Sequence, residues 1–176
     1  MTSNPTPKEE KKAQKKAKQQ QVKADKKRNL EVVLRYMNEG IGKVDLTAFD
    51  ACLHPDVQIF TGLKPQGPIE GVEEYKQVFA GFAEAFPVRQ FTIDEVFATK
   101  NKVVVRFTAV AAFKRDYYGV VATNEVIEMK EVHVLTLQEG RVVSNIVSGT
   151  NFPFEYLMYP VLKEAVIGHL PLDTEK

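Results

Sequence analysis

Tryptophan is absent, cysteine occurs once, and no apolar run is long enough to cross a bilayer. Each absence excludes something. The single cysteine, Cys52, cannot form an internal disulfide, so nothing ties the chain to an oxidising compartment. A membrane-spanning helix needs about 20 consecutive, mostly apolar residues, and no such stretch occurs. The first residues lack the apolar segment of a secretory signal, which makes a cytoplasmic protein the expectation. The three histidines, His54, His133 and His169, are scattered, and no Cys/His cluster has metal-ligand spacing. No metal and no cofactor are expected. There is neither a glycine-rich phosphate loop nor a G-x-S-x-G nucleophile elbow.

What is present is uneven. The 176 residues are one domain's worth, and the 44% hydrophobic share is that of a globular protein. Of the 24 Lys and Arg, ten lie within residues 1–28, against three of the 23 acids. That leaves fourteen basic and twenty acidic residues beyond, so a tail of net +7 precedes a body of net −6. The tail "KEEKKAQKKAKQQQVKADKKR" has no apolar stripe and can bury nothing. Its Lys, Gln and Ala favour helix, but a helix without tertiary support is marginal in water. Residues 1–27 are therefore expected to form a frayed, flexible extension, with helix where it joins the first helix of the domain. Such a run suits anionic surfaces, nucleic acid or a nuclear-import address. With no aromatics to stack on bases and an acidic body behind it, a solvated tail is the preferred reading, and nucleic acid is not expected as a partner.

The periodic part begins near Lys27. "NLEVVLRYMNEGIGK" places Leu30, Val33, Leu34 and Met37 at helical spacing, with Gly40 and Gly42 as stop signals. "VDLTAFDACL" predicts a shorter helix, and "HPDVQIFTG" turns at Pro55 into a strand over Val57–Phe60. "KPQGPIEG" reads as loop. "GVEEYKQVFAGFAEAF" is amphipathic, with Val72, Tyr75, Val78, Phe79, Phe82 and Phe86 on its stripe. The period then changes to two. "RQFTIDEVFATKN", "KVVVRFTAVAAFKR", "TNEVIEMKEVHVLTLQE" and "GRVVSNIVSGT" predict four successive strands, with "TKNK" and "QEGR" as hairpin turns and "DYYGVVA" as a longer aromatic loop. Helices followed by a meander imply α+β, about three N-terminal helices packed on one face of a curved antiparallel sheet. In the C-terminal segment, Phe154, Leu157, Met158, Val161 and Leu162 form a helical stripe interrupted by Pro160, which predicts two short helical pieces. The expected division is a tail over 1–27, a domain over 28–152 and a helical extension over 153–176. That extension could roof a pocket, pack on a second subunit, or simply pack on its own domain.

This order, with "LHPDVQIF", "IEGVEEYKQVFAGFAEAFP" and "VHVLTLQEGRVVSNIV", resembles the nuclear-transport-factor-two-like superfamily, and within it the polyketide-cyclase (SnoaL-like) branch. The resemblance covers roughly residues 28–150. It implies a cone-shaped fold around an apolar pocket, commonly a homodimer, in proteins that range from ring cyclases and isomerases to non-catalytic binding or assembly modules.

In a strand, alternate side chains share a face, so Glu131 and His133 point the same way as Met129 and Leu135. On the residues alone, both fit polar groups satisfied at the sheet's edge. The resemblance implies that His133 points into the pocket, where an imidazole can donate a hydrogen bond or move a proton, with Glu131 orienting it and Asn145 polarising a substrate. It also implies an acid/base aspartate on the last strand, and the matching position here is Val147; a second family position for a carboxylate falls near Thr61. Valine can neither accept nor return a proton, and threonine is not a carboxylate. Asp56 is expected to cap the turn after His54 and Pro55. Tyr36, Phe60, Phe79, Phe82, Phe113 and Tyr117 could line an aromatic pocket for an apolar ligand, or be plain core. Two functions follow: a cyclase- or isomerase-like enzyme with altered chemistry, or a non-catalytic ligand-binding or dimerisation domain.

Overall fold

The computed structural model describes residues 6–64, 67–149 and 154–160. Where composition suggests a frayed tail, α1 runs unbroken over Pro7–Arg35. Its start is held by a capping box: Thr6 accepts from the Glu9 backbone N–H, while the Glu9 carboxylate accepts from the Thr6 N–H at 2.8 Å. Towards its C-terminal end the helix meets the body: the Arg28 side chain lies beside Gly140, and the Asn29 amide donates to the Lys100 carbonyl at 2.8 Å. At that end the helix does not stop at its glycines. It widens into a π-helical turn, Tyr36–Ile41, and Gly40 is needed there for space: a Cβ on it would lie 2.5 Å from the Phe49 ring.

The Asp45 side chain accepts from the Thr47 N–H and caps α2, Leu46–Cys52. Strand β1 follows at once over Leu53–Phe60, four residues longer at its start than the periodicity predicts. The loop beyond it contains a two-residue strand, β2, Ile69–Glu70, before α3, Val72–Ala85. The four long strands are β3, Val88–Ala98; β4, Lys102–Ala112; β5, Val126–Gln138; and β6, Arg141–Gly149. Between β5 and β6, Glu139 and Gly140 both have positive φ, 50° and 81°, the tight hairpin geometry that twists with the strands.

One six-stranded sheet results, in the order β2-β1-β6-β5-β4-β3. All neighbours are antiparallel except β1 and β6, which pair in parallel. The α+β class is as expected, and the parallel pair makes the sheet mixed. Its inner face carries Val103, Val105, Phe107 and Ala109 from β4 and Ile127, Met129, Leu135 and Leu137 from β5. The helices cover that face with two aromatic groups. Phe49 stacks on Tyr75 at 4.9 Å, and Phe86 stacks on Phe113 at 4.6 Å, with Phe154 edge-on to Phe82 and Phe86. Residues 154–160 are helical and dock by Phe154 and Met158; the expected contributions of Val161 and Leu162 lie outside the described residues. Among the described residues, no helix is long and apolar enough to cross a membrane.

Candidate functional site

Strand register brings the predicted polar residues together. His133 pairs across the hairpin with Val147 and on the other side with Val105, which turns its ring to the inner face against Phe107. It is 3% exposed. Asn145 pairs with Leu135, so its side chain sits diagonal to the histidine on the same face. Its Nδ2 lies 3.0 Å from His133 Nδ1, and His133 Nε2 lies 3.1 Å from Glu131 Oε2. An amide NH2 can only donate, so Nδ1 accepts and the neutral ring carries its proton on Nε2, which donates to the carboxylate. Both imidazole nitrogens are therefore engaged within the protein. Glu131 and His133 both line the cavity, and Glu131, with 24% of its side chain exposed, is the more accessible of the two.

The cavity lies between α3 and the inner face. Its polar lining is Glu131, His133, Thr61 and Tyr75. The apolar lining comes from Ile41 and Leu63, from Phe79, Phe82 and Ala83 of α3, and from Val88, Phe107, Ala109, Met129 and Val147 of the sheet. Free space totals about 590 Å³ including the part continuous with solvent, of which about 50 Å³ is open to the centre of a water-sized sphere. Behind it, the Tyr75 and Tyr36 hydroxyls share a hydrogen bond of 2.8 Å. Burial pushes both phenols up from their ordinary value, against a smaller downward pull on Tyr36 from the Tyr75 and Asn145 side chains.

Of the aromatic residues proposed from sequence, Phe79 and Phe82 line the cavity. The other four are placed elsewhere. Tyr36 is fully buried behind Tyr75, and Phe113 is locked in its stack with Phe86. Tyr117 packs edge-on against Phe82 and Phe86, and Phe60 points off the outer face, 42% exposed. The reason is phase: Phe60 sits one residue beyond the inward Ile59. Tyr75 also lines the cavity, although in sequence a tyrosine on a helical stripe looks like any core aromatic; its only signal is a hydroxyl that needs a partner when buried. At the start of β1, where the sequence predicts a turn capped by Asp56, the roles are reversed. His54 Nδ1 accepts from the Asp56 N–H at 3.2 Å, while the Asp56 side chain stands in solvent. His169 lies outside the described residues. Val147 and Thr61, at the positions where the family resemblance implies a carboxylate, both face the cavity.

A family model of the SnoaL-like domain matches residues 33–145, close to two thirds of the chain, from the end of α1 to Asn145 in β6. The chain belongs to the SnoaL-like domain family. Solved structures share the fold of this SnoaL-like domain at low identity. A candidate SnoaL-like polyketide cyclase from Jannaschia sp. CCS1 is 19% identical, with a TM-score of 0.64, 97% of this chain covered and 100% of the other. AclR, a candidate hydroxylase from Streptomyces galilaeus, is 20% identical at TM-score 0.61, over 84% and 89% of the two chains. IdmH, a candidate polyketide cyclase from Streptomyces antibioticus, is 18% identical at TM-score 0.62, over 74% and 98%. No curated protein matches the sequence. Identities this low speak for the fold and leave the chemistry of this SnoaL-like domain to its own side chains.

Proposed function

We propose that this SnoaL-like domain binds an apolar ring compound in its cavity and moves a proton on it. The carrying observation is the hydrogen-bonded series Asn145–His133–Glu131, anchored in the core at one end and opening at its carboxylate onto an apolar-walled space. The step this series suits is enolisation. A C–H bond beside a ring carbonyl breaks, its proton passes to the Glu131 carboxylate, and its electron pair moves to the carbonyl oxygen; return of the proton at another position completes the exchange. His133 holds the carboxylate in place, and Asn145 fixes the imidazole tautomer.

A second reading has its own support. Val147 stands directly across from His133, where members of the branch are expected to carry an aspartate, and this favours binding without turnover. The probe 2-tetralone, an enolisable bicyclic ketone, separates the two. Its α-protons should exchange with deuterium by NMR in the presence of the protein, and Glu131→Gln or His133→Ala should lower that rate by about 10²–10⁴-fold. Saturable binding with no exchange in the unaltered protein would leave the binding reading alone.

The same reading includes a homodimer. Phe60, Ile146, Val134, Val104 and Phe97 are register partners in sequence across five strands, and they form an apolar row on the outer face. A polar row, Gln58, Ser144, Thr136 and Lys102, borders it. An apolar centre with a polar rim is interface-like, and one face meeting its own copy closes a two-fold dimer. Ile146→Glu should halve the mass measured by light scattering; an unchanged mass would remove this face from the interface.

A further inference from the structure

The lysines of α1 form an ordered surface once the segment is helical. At about 100° per residue, Lys8, Lys12, Lys15 and Lys26 lie within about 40° of one line along the helix. Lys11 and Lys18 flank that line on one side. Lys16 and Lys23 flank it on the other, and the whole face spans about 160°. The opposite face carries Ala13, Ala17, Ala24 and Gln21. All eight lysines are exposed, and among the described residues none of them is in an ion pair. The face extends about 27 Å from Lys8 to Lys26 at 1.5 Å per residue.

We propose that this face is a docking surface for the phosphate backbone of duplex nucleic acid. Charge complementarity carries the choice of partner. A duplex presents one negative charge per about 1.7 Å of axis, the densest rigid polyanion available to a row of ammonium groups. Shape narrows it further. A helix about 10–12 Å across fits a groove about 12 Å wide, where phosphates rise on both sides and meet the two flanks of a broad lysine face. A flat anionic membrane reaches mainly the central line. Membrane-surface helices also insert bulky apolar side chains, and Val22 is the only apolar residue larger than alanine between Lys8 and Arg28. The lack of aromatics, which counts against single strands read by base stacking, does not count against backbone contact. The body's net charge of −6 repels phosphates and confines contact to the projecting helix. Lysine meets phosphate as a point charge, so binding is independent of base sequence.

The test is fluorescence anisotropy of the full chain with a labelled 20-base-pair duplex over a salt series. With about four to six phosphates neutralised, affinity should fall about 10²–10³-fold between 50 and 200 mM salt. Replacing Lys11, Lys12, Lys15 and Lys16 with Gln should abolish binding at 50 mM salt, with circular dichroism unchanged. Ala17→Pro keeps every charge but breaks the face, and should weaken binding at least tenfold. Equal binding by Ala17→Pro would overturn the ordered-face argument. Absence of duplex binding at 50 mM salt would overturn the proposal, as would tighter binding to a single strand of equal length or to vesicles with 30% anionic lipid.

Discussion

Tyr36 and Tyr75 share their 2.8 Å hydrogen bond inside the core, and burial raises both phenols above the ordinary value of about 10. The direction has a consequence for stability. A phenol raised in the folded state loses its proton more readily when unfolded, so its contribution is complete below the unfolded value and declines as pH rises beyond it towards the folded one. Urea-unfolding free energy should therefore fall between pH 10 and 12. Tyr36→Phe should flatten that fall while costing roughly 1 kcal/mol at pH 7 through the lost hydrogen bond. An identical alkaline slope in the variant would show that other groups set it. That Glu131 and His133 share a face is legible in the sequence, because strands alternate with period two; that this face is the inner one is implied only by the family resemblance. Which imidazole nitrogen meets which partner was not legible, since it depends on a diagonal contact between strands.

Elements show the same division between local and distant causes. The long strands β3 to β6 were readable because each alternates and each turn carries its own punctuation. The start of β1 was not: Pro55 reads as a turn, yet an extended residue with fixed φ is acceptable at a strand's unpaired position. The parallel pairing of β1 with β6 joins segments more than 80 residues apart, and no local pattern encodes it. Gly40 is the sharpest case. Sequence reads it as a stop, whereas its lack of a side chain admits the Phe49 ring, itself held by Tyr36 and stacked on Tyr75. Gly40→Ala should destabilise by about 1–3 kcal/mol through overpacking. At Gly81, in α3, a Cβ would meet nothing within 4 Å, and Gly81→Ala should stabilise by up to about 1 kcal/mol through helix propensity. Opposite shifts in thermal midpoint are the expected pair; a neutral Gly40→Ala would mean that the π-helical turn relaxes freely.

At the scale of the whole molecule, the size of the cavity governs its use. The 50 Å³ open to water-sized centres is about a third of the roughly 150 Å³ apolar cavity that takes benzene. A ring compound can enter only if lining side chains move, and the free energy of that movement lowers apparent affinity by the fraction of open molecules. Phe82 is the side chain placed to move. It lines the cavity on one side and meets Phe86, Tyr117 and Phe154 on the other, so its displacement would open the cavity towards the aromatic group under residues 154–160. Phe82→Leu would shorten the obstacle without emptying the site, at a smaller stability cost than the about 3–5 kcal/mol of a Phe→Ala change. If entry requires Phe82 to yield, the variant should bind 2-tetralone more tightly than the unaltered protein while melting at a lower temperature. Ligand at about 100 times its Kd should then return about 2.7 kcal/mol of stability. Weaker binding in a folded Phe82→Leu would instead make the phenyl ring part of the ligand's wall, and the route of entry would have to pass Leu63 and Ile41.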